Sequence, residues 1–188
     1  MIETTEIEDN VIKFSGASNV YLLDFDEKIL IDCGDRSDHE SLKKAISKYT
    51  NLSKISKVIL THLHYDHVGN VDLFPDAEFF ASKEAIESFE KDPLGTVLNK
   101  GIAEVLKGIR LRPVKDIYGL KIIDVPGHTI GSIAIWHEKH SLLFSGDTVF
   151  VHGVGRIDLP TSSPDDMSSS LEVLKRYNPK KLCPGHDY

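Results

Sequence analysis

The chain has 188 residues, 40% hydrophobic and 27% charged, which suits one soluble globular domain with enough length to bury a core and too little for a second full domain. A net charge of -7 argues against a nucleic-acid partner, since phosphate backbones recruit basic surfaces, and no apolar run approaches the roughly 18 residues that span a bilayer. Met1–Asn10 is acidic and has neither the positive nor the apolar segment of a secretory signal, so a cytoplasmic location is expected; there Cys33 and Cys183, which fit no zinc-ribbon or CxxC spacing, read as ordinary thiols.

Along the chain, Asn19–Asp24 and Ile29–Asp32 are apolar runs joined through Phe25–Lys28, the pattern of a hairpin. Asp38–Tyr49 carries Leu42, Ala45, Ile46 and Tyr49 at helical spacing, with Asp38 as the candidate N-cap. Lys57–Thr61 is a short apolar strand running directly into His62-Leu63-His64. Ala77–Ala81 reads as a strand and Ser82 to about Lys91 as a helix. Asp92–Val114 is a partly helical pattern interrupted by Gly95, Gly101 and Gly108, expected to form an excursion or lid. Strand patterns return at Leu120–Val125, Ser132–His137 and Ser141–Ser145, the last two around the polar turn Glu138–His140. A closing helix is expected over Ser163–Tyr177, with Ser163 as N-cap and Pro164 at its first position, and Lys181–Cys183 is a final strand. Strands in hairpins with helices to cover their outer faces point to two sheets packed face to face with helices outside.

The stretch Thr61–Asn70 packs His62, His64, Asp66 and His67 into six residues immediately after a buried strand. Imidazole and carboxylate are the usual zinc ligands and also suit iron and manganese. In an extended segment His62 and His64 point the same way and reach one ion, while a turn after them lets Asp66 and His67 face a second. Three further pieces repeat this syntax, each a short apolar strand ending beside glycine on a candidate ligand: Gly127-His128, Gly146-Asp147 and Gly185-His186. No Gly-x-Ser-x-Gly nucleophile motif is present.

From Asp32 to Tyr188 the chain resembles the metallo-β-lactamase-fold superfamily, in particular its glyoxalase II-like (hydroxyacylglutathione hydrolase-like) branch, on the strength of His62-His64-Asp66-His67 followed in order by His128, Asp147 and His186. The resemblance implies an α/β (α+β) fold, a four-layer αββα sandwich of two mixed sheets flanked by helices. It implies two divalent ions per chain, zinc first with iron or manganese as alternatives: one held by His62, His64 and His128, the other by Asp66, His67 and His186, with Asp147 bridging. Asp32 matches an early motif whose carboxylate supports the ligands from behind. Arg156, in Gly153-Val154-Gly155-Arg156, and Tyr188, in Gly185-His186-Asp187-Tyr188, match segments that contact glutathione in that branch.

An aspartate at position 147 separates the chain from lactamases that place Cys there, Phe150 from lactone-cleaving relatives that carry a Tyr, and His64 from flavodiiron proteins that carry a Glu. Full-length glyoxalase II continues with a helical substrate domain, so residues 1–188 are expected to form a single domain without it, with a smaller substrate, a more open site or a homodimer as consequences. The expected reaction is hydrolysis of a small acyl substrate, a glutathione thioester foremost, by a water shared between two ions whose pKa is drawn toward neutrality, with Asp66 or Asp147 moving a proton. The alternatives are a mono-iron persulfide dioxygenase, a phosphodiesterase or other esterase of the same fold, and a non-enzymatic metal-binding module. Outside the motifs, His152 falls in the loop after Asp147 and is expected to line the pocket; His39, His137 and His140 read as surface residues, and Trp136, Phe79, Phe80 and Phe89 as packing.

Overall fold

The computed structural model of the chain describes residues 2–188. The first half builds a mixed seven-stranded sheet in sequential order: β1 (Glu3–Glu8), β2 (Val11–Ser15), β3 (Asn19–Asp24), β4 (Lys28–Ile31), β5 (Ile55–Ile59), β6 (Glu78–Ala81) and β7 (Leu111–Pro113). The strands from β1 to β4 are antiparallel neighbours, and those from β4 to β7 are parallel. Parallel neighbours need crossovers, which are α1 (His39–Ile46), then α2 (Tyr65–Val68), then α3 (Lys83–Lys91), α4 (Pro93–Val97) and α5 (Lys100–Lys107). The second sheet holds β8 (Leu120–Asp124), β9 (Ile133–His137), β10 (Leu142–Gly146) and β13 (Lys181–Pro184) in the order β13-β10-β9-β8; between β10 and β13 come a small hairpin, β11 (Val149–Phe150) with β12 (Gly153–Val154), and α6 (Pro164–Leu174). Among the described residues no helix is long and apolar enough to cross a membrane.

Strands buried on both faces are apolar at every position, and alternate residues serve different layers. Tyr21 and Leu23 of β3, Ile29 and Ile31 of β4, Ile133 and Ile135 of β9 and Leu142 and Phe144 of β10 meet between the sheets. Leu22 and Leu30 turn the other way, onto Leu42 and Ile46 of α1 and onto residues of α5 and the segment after β5. Leu143 and Ala134 turn outward beneath Leu174 of α6, where Trp136 packs on Tyr177 with centroids 5.4 Å apart. Three apolar layers therefore separate four layers of structure, αββα, and the expected sandwich is observed.

Several local expectations are corrected. The sequence reading missed the β1–β2 ribbon, because Glu3–Glu8 is largely exposed and its alternation is mostly polar. Asp38 holds the N-cap position of α1 as expected but makes no side-chain cap bond; its carboxylate accepts from the Ala17 amide at 2.8 Å, and Asp35 caps the 3-10 turn before the helix. Ser163 precedes Pro164 as expected, yet its hydroxyl bonds the Asp166 carboxylate rather than the backbone. His137 is buried: the inward alternation that takes Ile133 and Ile135 between the sheets takes it there too, beside Phe25 at 5.1 Å and His140 at 4.9 Å. His39 and His140 are half-buried.

Asp92–Val114 is not a lid. Asp92 caps α4, Asn99 caps α5, and Val97, Ile102, Ala103 and Leu106 are buried in the same core as Leu63, Val68 and Val71. The segment is a buttress behind the histidine-rich loop. Leu106 is 0% exposed, so Leu106→Ala should lower the unfolding free energy by about 2–5 kcal/mol in urea titration. A loss below about 1 kcal/mol would restore the lid reading.

Candidate metal centre

The seven candidate ligands come from four chain segments that end on one rim of the sandwich. β5 delivers His62 and His64 in extended chain, and α2 begins directly after His64, bringing Asp66 and His67 around its single turn. His128 follows β8, Asp147 follows β10 and His186 follows β13. Backbone bonds knit these ends together: Ile133 N–H donates to Thr61 at 2.9 Å, Gly185 N–H to Gly146 at 2.8 Å, and Asn19 N–H to Gly185 at 2.7 Å. Glycine is required at 185, where a Cβ would stand 2.1 Å from Asp147 Oδ1 and 2.8 Å from the His67 ring.

Three sets of donor atoms converge, each within 4.8 Å: His62, His64 and His128; His62, His67 and Asp147; and Asp66, His67 and His186. Asp147 sits between the outer two, with Oδ1 3.2 Å from His67 Nε2 and Oδ2 3.6 Å from His128 Nε2 and 3.3 Å from His186 Nε2. Asp66 Oδ2 lies 3.3 Å from His186 Nε2.

The rings are fixed from behind. His67 Nδ1 donates to Asp32 at 2.8 Å, His128 Nδ1 to the Arg156 carbonyl at 2.8 Å, and His186 Nδ1 to the Ala17 carbonyl at 2.8 Å, which turns each Nε2 toward the centre. Asp32 does more than hold His67. Its Oδ1 accepts the Thr61 amide at 2.7 Å and its Oδ2 the Thr61 hydroxyl at 2.8 Å, so one carboxylate ties the end of β4 to the end of β5 and to α2. It does so from a left-handed backbone, φ 60°, a conformation that costs a non-glycine residue about 1–2 kcal/mol.

These residues fit a divalent metal centre. His62 Nε2 is buried with no hydrogen-bond partner, a costly state for a polar atom unless a further group engages it. His64 Nδ1 and His128 Nε2 face each other at 2.9 Å, as two lone pairs directed at one ion would. Burial, then the neighbouring imidazoles, holds His62 well below its usual range and His64 down to about 3, and burial outweighs Asp147 to lower His128; all three are neutral, as ligation demands. Burial also acts to lower His67 and His186, but the carboxylates win: Asp147 and Asp32 hold His67 well above its usual range, and Asp147 and Asp66 bring His186 to about 9. Burial would raise Asp147, yet His67 and His186 keep it well below the carboxylate range. Without metal the outer half of the centre is a buried ion cluster, from which an arriving cation displaces protons.

The remaining candidates are less engaged. Arg156 is exposed and its guanidinium holds Asp158, while its carbonyl serves His128. Tyr188 stacks on His186 at 5.1 Å and 16°. His152 is exposed in the β11–β12 turn. Sequence reasoning missed Thr61 and Asn70. Asn70 is buried in the motif and donates to the Cys33 and Asp35 carbonyls at 2.9 and 2.8 Å while its oxygen meets His39 Nδ1 at 3.0 Å, so His39 braces the loop. Cys33 and Cys183 are free thiols, both buried, and burial pushes Cys183 up to about 12.

Asp32→Asn keeps the side-chain size and a residue that tolerates positive φ while removing the charge behind His67. Metal affinity should fall by about 10–100-fold in competition titration with a chromophoric chelator. An unchanged affinity would reduce Asp32 to a turn residue.

The model of the metallo-β-lactamase superfamily matches residues 15–186. The probable metallo-hydrolase MJ0888 of Methanocaldococcus jannaschii is 34% identical over 94% of this chain and 92% of its own length. The hydroxyacylglutathione hydrolase of Hamiltonella defensa is 31% identical over 100% of this chain and 66% of its own; across five such hydrolases the chain spans 47–66% of their length. Among solved structures, TTHA1623 in a di-iron-bound form superposes with a TM-score of 0.71 at 27% identity, over 91% of this chain and 88% of that one. Fold, donor set and sequence agree, and the chain belongs to the metallo-β-lactamase superfamily.

Proposed function

We propose that the protein is a binuclear metallohydrolase that cleaves thioesters of small acyl substrates, the hydroxyacylglutathione type being the reference. The observation that carries this reading is the position of Asp147, which lies between the His62/His64/His128 set and the Asp66/His67/His186 set, with Oδ1 3.2 Å from His67 Nε2 and Oδ2 3.6 Å from His128 Nε2. A purely structural site has no need of a carboxylate shared by two donor sets. His62, His64 and His128 would hold one ion and Asp66, His67 and His186 the other. Bound divalent ions would supply Lewis acidity, which lowers the pKa of water and polarises a carbonyl.

The chain's own groups do the rest. Asp147 is ionised throughout the neutral range, so Oδ1 accepts from and orients the attacking water. Asp66 is less buried than its neighbours and reaches the cluster through Oδ2, from which it can take the proton released at attack. Asp32, Arg156 and Ala17 keep the imidazoles in one tautomer through the cycle. A thiol leaving group, with a pKa of about 8.5, departs as thiolate without a strong acid, which matches a site whose acids are carboxylates held ionised.

Thiol release from S-lactoylglutathione by metal-loaded protein should be abolished by a chelator. It should fall more than about 100-fold in His64→Ala, beyond the 10–100-fold cost typical of losing a group that only supports a ligand. Turnover that survives both would contradict a metallohydrolase; fully metallated protein without turnover would contradict the glutathione thioester.

A further inference from the structure

We infer that the mouth of the centre selects uncharged thioesters with an aromatic or apolar arm over thioesters of anionic thiols, on the strength of an aromatic wall on His186 and of neighbouring cations that are already paired. This deepens the hydrolase reading and rests on it.

Of the nine large apolar side chains exposed among the described residues, Tyr65, Ile130 and Tyr188 stand within two residues of a ligand. Tyr188 is 66% exposed, lies flat against the His186 ring and meets Phe150 edge-on at 5.1 Å and 62°. Phe150 is itself 6.0 Å from His186, so the two rings form one aromatic wall on that ligand. Tyr65, exposed, immediately precedes Asp66. Val151 is exposed in the β11–β12 turn, and that hairpin starts two residues after Asp147, while Ile157 follows the residue whose carbonyl holds His128. Exposed apolar residues scattered singly mean little; gathered around one polar centre they mark a recognition surface.

Charge points the same way. Glutathione carries two carboxylates and needs cations to meet them. Arg156 is held by both oxygens of Asp158, at 2.7 and 2.9 Å, and an incoming carboxylate would have to displace a partner two residues away in the same loop. Lys13 is paired with Asp187, next to Tyr188, and Arg36 with Asp72 at 3.0 Å. An anionic thiol would thus meet paired cations at Arg156 and Lys13, while an apolar arm gains the wall.

The test compares phenylacetyl thioesters of N-acetylcysteamine, a neutral thiol, and of glutathione, on metal-loaded protein with metal content measured alongside. The neutral thioester should have a kcat/KM at least about tenfold higher than the glutathione thioester, and at least about tenfold higher than the acetyl thioester of N-acetylcysteamine, the latter within the range apolar recognition supplies. Tyr188→Ser should erase most of the preference for the phenylacetyl over the acetyl arm through KM and Tyr188→Phe should keep it, because the ring and not the hydroxyl meets the arm. Asp158→Ala, at an exposed position, should free Arg156 and lower KM for the glutathione thioester. Equal or better turnover of the glutathione thioester by the native protein would overturn the inference and leave the hydrolase reading standing. No thiol release from either thioester would overturn both.

Discussion

One buried carboxylate sets the geometry of the rim. Asp32 stands at the end of β4, in a backbone conformation that an aspartate adopts only at a cost, and accepts three hydrogen bonds: two from Thr61 at the end of β5 and one from His67 in α2. Remove it and the extended chain that aims His62 and His64 loses its anchor to the neighbouring strand, and His67 loses the bond that fixes its tautomer. Local strain at a functional position persists only where the surroundings over-determine it, and here the surroundings are a fully apolar layer on each face of β4 and β5. The sandwich supplies rigidity, Asp32 converts it into orientation, and the ligands inherit that orientation.

The electrostatics follow from the same burial. Seven titratable side chains crowd a dry rim, and they divide by their partners. His62, His64 and His128, surrounded mainly by other imidazoles, stay neutral; His67 and His186, which face Asp147, Asp66 and Asp32, stay charged in the absence of metal. Paired buried charges are tolerable where unpaired ones are not, so the metal-free fold remains self-consistent, and protons released from His67 and His186 couple metal binding to pH. The asymmetry leaves one donor set of three neutral imidazoles and one that includes carboxylates.

Much of this was legible in the sequence because the chemistry is concentrated. Four ligand-type side chains in six residues, and three more strand–glycine–ligand endings, stand out without any knowledge of the fold. The face-to-face sheets with helices outside were readable from strands clustered in hairpins between helical patterns, and the run Val20–Leu23 is apolar as a strand buried on both faces requires. What was not legible depends on tertiary context. Glu3–Glu8 pairs in a ribbon that needs no apolar face, and the glycines of Asp92–Val114 hid two short capped helices that Asp92-Pro93 and Asn99 could have signalled. Thr61 and Asn70 carry no signature of their own: their roles exist only once β4, β5 and α2 meet. His137 was misread although the period-two pattern Ile133, Ile135, His137 already pointed inward.

Metal analysis of the purified protein, loaded with excess divalent metal and freed of unbound ions, and repeated on Asp66→Ala, addresses the binuclear reading most directly. Two divalent ions per native chain, falling to one in Asp66→Ala while the His62/His64/His128 set stays loaded, is the expected result. A single ion per native chain under saturating metal would contradict it, and would leave Asp147 as a ligand or partner of one ion and not the bridge between two.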